Sequence, residues 1–174
     1  KEDYNYNFIR AMENLANIFD ETGQQKNALE TRKQIVSEQK EYLQELKENS
    51  ADLDKIADGM ANVACALESL GEYNRAIALR EQIIDFYREN FRTNPACKED
   101  YHWDFVHKMK DLANCLDKMG QEKKALGVRR EIVIEEKESL QKVKENFEED
   151  SEIISEMDDV IRALQEVGDY EEEL

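Results

Sequence analysis

The sequence predicts an all-α fold, a solenoid of antiparallel helix hairpins with about 48 residues per repeat and roughly seven helices. Four glycines, Gly23, Gly71, Gly120 and Gly168, recur at intervals of 48, 49 and 48 residues. The apolar residues around them repeat at spacings of three, four and seven, which is the periodicity of one helix face. The chain also has 37% charged residues and one proline, a composition typical of long solvated helices.

Each glycine stands between two helical patterns, where a residue without a Cβ can adopt a left-handed C-cap and reverse the chain. Each repeat is therefore predicted to be a hairpin. Small residues at matched positions let its two helices approach closely, and a column of methionines is interpreted as core. These columns are Ala16, Ala64 and Ala113; Ala28, Ala76 and Ala125; and Met12, Met60, Met109 and Met157.

The repeats are predicted over about residues 3–50, 51–97 and 98–150, with a half repeat over 151–174, in a single domain that we interpret as a piece of a longer array. The second helix of the first repeat should run to about Glu48, before Ser50 or Asp52 caps the next helix. The second repeat breaks at Asn94-Pro95, since proline lacks an amide donor. The third ends near residues 150–151. A last helix over 152–167 should stop at Gly168.

The charge balance is acidic. There are 41 acids against 24 bases, a net charge of −17, and residues 145–174 hold thirteen acids and one base. A strongly acidic chain repels phosphate, so neither nucleic acid nor an anionic membrane is predicted as a partner. The acidic end is either a solvated helix face or a docking surface for a basic partner. No apolar run approaches the roughly 18 residues of a membrane span, and the predicted location is cytoplasmic.

No constellation of residues predicts catalysis, a metal or a cofactor. His102 and His107 are five residues apart, about 140° around a helix, which does not suit two zinc ligands. The three cysteines have no paired spacing. Cys65 and Cys115 are predicted to pack as small apolar residues, whereas Cys97 lies in a loop and should be more reactive.

Three segments carry a family resemblance. They read "NLANIFDETGQQKNAL" from Asn14, "NVACALESLGEYNRAI" from Asn62 and "DLANCLDKMGQEKKAL" from Asp111, and they resemble the kinesin light-chain-like form of the tetratricopeptide repeat. The second helices, "ALETRKQIV", "AIALREQII" and "ALGVRREIV", resemble those of repeat arrays in bacterial signalling ATPases. The resemblance implies that the solenoid is a right-handed superhelix. It also implies a non-catalytic scaffold that binds a protein or peptide segment on its concave face. The alternative is a sensor or assembly domain of a larger signalling ATPase, with self-association.

The resemblance also implies that the first helices line the concave face. The predicted peptide-binding residues are Asn14, Asn17, Asn62, Asn114, Lys110 and His107. A carboxamide offers donors and an acceptor to an extended backbone, although the asparagines would also suit a bracing role between repeats. The inner positions are mixed to acidic, which favours a partner that carries Lys or Arg.

Two further groups leave alternatives open. Arg32, Arg80 and Arg129 lie nine residues after each glycine, where they would form ion pairs with acids on the adjoining hairpin or, alternatively, a phosphate-binding stripe. Tyr101, Trp103 and Phe105 would pack between repeats or form an exposed recognition patch.

Overall fold

The computed structural model describes the backbone of residues 2–49, 52–146 and 150–173, and the side chains of 6–49, 52–142, 144 and 157–168. Across these ranges the chain forms α-helices and no strand, which confirms the all-α prediction. The helices are α1 (Glu2–Glu21), α2 (Gln25–Asn49), α3 (Leu53–Ser69), α4 (Tyr73–Thr93), α5 (Cys97–Lys118), α6 (Glu122–Asn146) and α7 (Asp150–Glu173).

The helices divide into two compact units, Lys1–Glu89 and Asn90–Leu174, with the division inside α4. In the first unit, α2 packs against both α1 and α3, and side chains of α4 bond to α3. In the second unit, α6 packs against both α5 and α7. Within each unit, successive helices are therefore neighbours, as in an array of hairpins.

Tight glycine turns close the three hairpins. Gly23, Gly71 and Gly120 have φ of 74°, 82° and 66°, in the left-handed region that favours glycine. Each turn carries the two backbone bonds of a Schellman motif. In the first, Gln24 N–H donates to the carbonyl of Phe19 over 2.7 Å, and Gly23 N–H donates to that of Asp20 over 3.0 Å. These bonds satisfy carbonyls that the end of α1 would otherwise leave unpaired.

The small-residue columns lie at the centre of the hairpins, as predicted. All six alanines of the two columns are at most 2% exposed, so the facing backbones approach closely. The methionine column is buried in the two inner copies, at 6% for Met60 and 1% for Met109, whereas Met157 is 43% exposed. The methionine column is thus buried in the second and third copies and exposed in the last.

The helix ends between the hairpins have identifiable local causes. Asp52 caps α3, since its side chain accepts a hydrogen bond from the Asp54 amide over 3.1 Å; Ser50 lies outside the described residues. The loop between α4 and α5 contains Asn94-Pro95. The second helices α2, α4 and α6 have 25, 21 and 25 residues, and the first helices α1, α3 and α5 have 20, 17 and 22, so both helices of a hairpin contribute to the length of the repeat.

The prediction for the last helix is wrong at its carboxyl end. α7 continues through Gly168 to Glu173, and Gly168 does not take a positive φ. The earlier glycines are followed after five residues by Ala28, Ala76 or Ala125, but Glu173 holds this position after Gly168. Residues 169–174 carry four acids and no apolar stripe, and continuing a helix through glycine costs only about 1 kcal/mol.

Candidate functional site

A cleft of about 540 Å³ opens in the first unit between α1, α2 and α3. This volume lies in the range of small ligand and peptide pockets. Each of the three helices contributes a short stretch of its length to the wall. The lining residues are Tyr6, Ile9, Arg10 and Glu13 of α1; Ile35, Gln39, Tyr42 and Leu46 of α2; and Lys55, Asp58, Gly59, Asn62, Cys65 and Ala66 of α3.

Close packing of α2 on α3 shapes one wall of the cleft. A Cβ added at Gly59 would lie 2.8 Å from Leu46 Cδ1 and 3.1 Å from Leu43 Cδ1, closer than ordinary van der Waals contact. Glycine here lets the two helices approach side by side. The extended carboxyl half of α2, which is the part that lengthens the repeat, supplies Gln39, Tyr42 and Leu46 to the cleft.

The charges that line the cleft cancel. Two cations, Arg10 and Lys55, stand against two anions, Glu13 and Asp58. The remaining polar side chains are carboxamides, phenols and a thiol, since Asn62, Gln39, Tyr6, Tyr42 and Cys65 also line it. The cleft thus offers hydrogen bonds from neutral groups without a net charge that would select an ion.

Gln39 is a cleft residue that the sequence interpretation missed. It is 7% exposed, and its Oε1 is buried without a hydrogen-bond partner. The available signal was its position: Gln39 lies four residues after Ile35 and four before Leu43, both of which are buried. A polar residue inside a buried stripe marks a side chain with a specific role.

The six predicted binding residues are distributed over both units, and one of them lines the cleft. Asn62 lies in the cleft wall, beside Arg10 and Glu13 from the predicted inner face. Asn14 and Asn17 are exposed on α1 but do not line the cleft. His107, Lys110 and Asn114 lie in the second unit, along one face of α5.

On α5 these residues continue a stripe that begins with Trp103. Residues 103, 107, 110 and 114 follow helical spacing. The rings of Trp103 and His107 stack with centroids 4.7 Å apart and planes 20° apart, while Asn114 Oδ1 accepts a hydrogen bond from Arg129 Nη2 over 3.4 Å. Asn114 therefore braces its own hairpin, whereas the alternative role considered for the asparagines was to brace neighbouring repeats.

The aromatic trio divides between core and surface. Phe105 is 1% exposed and packs edge-on against Phe91, with ring centroids 5.3 Å apart. Trp103, two residues away, is 68% exposed, because residues two apart point to nearly opposite sides of a helix. Tyr101 is half-buried. The packing interpretation holds for Phe105 and is wrong for Trp103.

The arginine column forms ion pairs within each hairpin, and the prediction of partners on the adjoining hairpin is wrong. Arg80 Nη2 lies 2.6 Å from Glu68 Oε1, Arg129 Nη2 lies 2.6 Å from Asp117 Oδ2, and Arg32 pairs with Asp20. In each pair the acid precedes the arginine by twelve residues, across the glycine turn. The column thus fastens the two helices of one hairpin.

Lys98 joins α5 to α6 in the second unit. Its Nζ lies 2.8 Å from Glu135 Oε2 and 3.2 Å from Glu138 Oε2. Burial lowers the pKa of Lys98, but its hydrogen bonds and charge attraction to Glu135 and Glu138 outweigh burial, so the pKa lies above the ordinary 10.5. The lysine is held as a cation between two carboxylates.

The cysteines differ in exposure. Cys115 is 1% exposed, as predicted, and Cys97 is half-buried. Cys65 is exposed, which corrects its predicted packing role: it lines the cleft, and its Sγ lies 3.4 Å from Arg80 Nη2. Among the described side chains, no group of three or more His, Cys, Asp and Glu residues is arranged to hold a metal ion.

The described part of the chain contains no helix that is long and apolar enough to cross a membrane. Its helices form hairpins that are closed by glycine turns and packed through small residues.

Comparisons with known proteins add the following. No family model matches the sequence, and no curated protein matches it. Among solved structures, the chain is similar to one described as a Podosopora anserina kinesin light chain with nearly identical TPR-like repeats. The two are 16% identical, the match covers 94% of this chain and 89% of that chain, and the TM-score is 0.28.

Proposed function

We propose that the protein is a non-catalytic scaffold that binds a protein or peptide segment, with the cleft of the first unit as its principal contact. The cleft is the observation that carries this proposal. It combines an apolar floor, with Ile35 at 2% exposed, and the carboxamides of Asn62 and Gln39. Apolar surface favours burial of a ligand, and a few polar groups fix its orientation.

A peptide array at near-physiological salt tests this function. It should include basic, neutral and carboxy-terminal sequences, and the strongest binder should then be titrated against the protein by calorimetry. Asn62→Ala should weaken binding of that peptide about tenfold, since the complex loses one hydrogen bond between the peptide and the cleft. Asn74→Ala is the matched control, because Asn74 is exposed at the start of α4 and outside the cleft.

Equal helicity of all variants by circular dichroism would show that folding is unchanged. Failure of the array to show sequence-dependent binding would contradict the proposed function. A peptide that binds wild type and Asn62→Ala equally would remove the cleft as the contact.

We also propose that the partner segment carries Lys or Arg side chains. The net charge of −17 supports this, and so does the surface around Trp103. One face of its indole is stacked on His107, while Glu99 and Asp100 stand about one helical turn before it and are exposed. An aromatic face beside carboxylates attracts a cation by cation–π and ion-pair interaction.

The single tryptophan of the chain gives a direct measurement of this contact. We expect an arginine-containing peptide to change Trp103 fluorescence at lower concentration than the same peptide with neutral citrulline. Combined Glu99→Gln and Asp100→Asn substitutions should abolish that difference. Glu122→Gln with Asp158→Asn, which removes two acids from α6 and α7, is the control of equal charge. Equal responses to both peptides would contradict a basic partner.

The alternative function, a sensor or assembly domain of a larger signalling ATPase, is favoured by one face of α7. Met157, Ile161 and Leu164 follow helical spacing and are each more than 40% exposed. Such an apolar stripe suits another helix of an array or a second copy. Light scattering over a range of concentrations tests the second possibility: a mass that rises with concentration in wild type, but not in Ile161→Glu, would support self-association.

A further inference from the structure

One buried position recurs in all three hairpins. Sixteen residues after each turn glycine stand Gln39, Tyr87 and Glu136. They are 7%, 0% and 6% exposed, so each hairpin buries a polar side chain at the same place on its second helix. Burial of a polar group costs free energy unless a hydrogen bond compensates it.

In the second and third hairpins, the first helix of the same hairpin provides that compensation. The Tyr87 hydroxyl donates to Asp54 Oδ1 over 3.1 Å. Glu136 Oε2 lies 3.4 Å from His102 Nε2. Asp54 and His102 stand 17 and 18 residues before their turn glycines, near the start of α3 and α5. The bond therefore ties the start of one helix to the middle of the next.

The first hairpin differs at this position among the described side chains. Gln39 Oε1 is buried and has no hydrogen-bond partner. The position equivalent to Asp54 is Tyr6, which is 67% exposed and lines the cleft; the position equivalent to His102 is Asn5, whose side chain is outside the described ones. Thus the hairpin in which the Gln39 oxygen has no partner is also the hairpin in which Tyr6, at the position of Asp54, lines the cleft.

We infer that Gln39 is a ligand-recognition residue, whose carboxamide bonds to a main-chain amide of the peptide segment bound in the cleft. This inference rests on the proposed function and names the group that the cleft recognises. The lining charges cancel, with Arg10 and Lys55 against Glu13 and Asp58, so a neutral amide fits better than an ion. A main-chain amide offers both an N–H donor and a carbonyl acceptor. Asn62 can form a hydrogen bond with the main chain of the same peptide.

The terminal torsion of glutamine is broad, so a rotation about it presents either the oxygen or the amino group to the ligand. A peptide amide complements both orientations. Because Gln39 is held between Ile35 and Leu43 on a helix, its position is fixed before binding, which lowers the entropy cost of recognition.

The first test is a stability measurement that needs no ligand. Gln39→Met replaces the side chain with an apolar one of similar shape and removes the unsatisfied oxygen. We expect the melting temperature to rise by about 2–4 °C, as when an unpaired buried polar group is removed from a protein of this size. Tyr87→Phe is the matched control. It should lower the melting temperature, because the variant loses the hydrogen bond from the Tyr87 hydroxyl to Asp54. A lower melting temperature for Gln39→Met would overturn the inference.

The second test is binding of the tightest peptide from the array. We expect Gln39→Met to weaken this peptide about tenfold. Replacing its backbone amides one at a time by esters should identify a position that weakens binding to wild type but not to Gln39→Met. If Gln39→Met binds the peptide as wild type does, the inference fails while the proposed function stands. If the array yields no binding peptide, both fail.

Discussion

At the scale of single residues, the arginine column provides a graded set of ion pairs. The Arg80–Glu68 pair has side chains 7% and 12% exposed, whereas the Arg32–Asp20 pair is 21% and 34% exposed. Both Nε and Nη2 of Arg80 donate to the same Glu68 oxygen, over 2.9 and 2.6 Å. The contribution of an ion pair to stability depends on how far its charges are removed from water. The two pairs should therefore differ in the free energy that is lost when the arginine is replaced.

We expect Arg80→Met to lower the free energy of unfolding by about 3 kcal/mol, because it leaves a buried carboxylate without its cation. Arg32→Met should cost about 1 kcal/mol or less, since its acid stays partly hydrated. Urea unfolding measures both. Adding Glu68→Gln to Arg80→Met should recover part of the loss, and equal costs for the two single variants would contradict this account.

Lys98 predicts a dependence on alkaline pH. Its pKa is raised above 10.5 in the folded protein, so its ion pairs stabilise the fold fully below the unfolded pKa, and this contribution is lost as pH rises through the folded pKa. The difference in melting temperature between wild type and Lys98→Met should therefore be positive at pH 8 and disappear at strongly alkaline pH. The exposed Lys123 provides a control, Lys123→Met, for which we expect little difference at either pH.

The sequence indicated the arginine column but not the partners of its side chains. Spacing placed Arg32, Arg80 and Arg129 on one face, yet which acid each one meets depends on the crossing of two helices. Gln39 presents the same difficulty. Its place in a buried stripe is visible in the sequence, but whether it has a partner depends on a residue more than 30 positions away, as Asp54 is for Tyr87.

At the scale of the helices, the turn glycines close the hairpins. A pair of glycine substitutions distinguishes the effect of backbone conformation from the effect of side-chain packing. A Cβ at Gly71 would meet no atom within 4 Å, yet its φ is +82°. Gly71→Ala should therefore destabilise by about 1–2 kcal/mol through the backbone alone. Gly127 is exposed inside α6 and also has open space around it. Gly127→Ala should stabilise by about 0.5–1 kcal/mol.

Thermal or urea unfolding of both variants checks the signs. If Gly71→Ala left the stability unchanged, the turn would tolerate side chains, and the glycine column would lose its structural explanation.

Hairpin turns could be predicted because a glycine lies between two apolar stripes. The end of α7 could not, since Gly168 has such a stripe on one side and a run of acids on the other.

At the scale of the whole molecule, the fold class follows from repetition, whereas the cleft does not. The columns of alanine and glycine specify which helices pair, and three copies make that pattern unambiguous. The cleft depends on small differences between copies: Gly59 brings α2 and α3 together, and Tyr6 stands where the second hairpin has the half-buried Asp54. These differences are single residues within a repeat, so neither the repeat period nor the amino-acid composition predicts them.

The charge of the whole chain leads to the last prediction, on salt. With 41 acids and 24 bases, self-repulsion opposes the folded state. The screening length falls from about 30 Å in 0.01 M salt to about 8 Å in 0.15 M. Exposed pairs such as Lys33–Glu30 are also screened but contribute little, and the buried Arg80 and Arg129 pairs are screened less. Repulsion should therefore dominate, and added salt should stabilise the protein.

We expect the melting temperature, followed by circular dichroism, to rise by several degrees between 0.01 and 0.15 M NaCl. Combined substitution of Glu171, Glu172 and Glu173 by Gln removes three charges from the most acidic segment, so the rise should become smaller. A melting temperature that falls with salt would show that surface ion pairs outweigh repulsion. In that case the surface ion pairs, and not the net charge, would determine how the stability of this protein depends on salt.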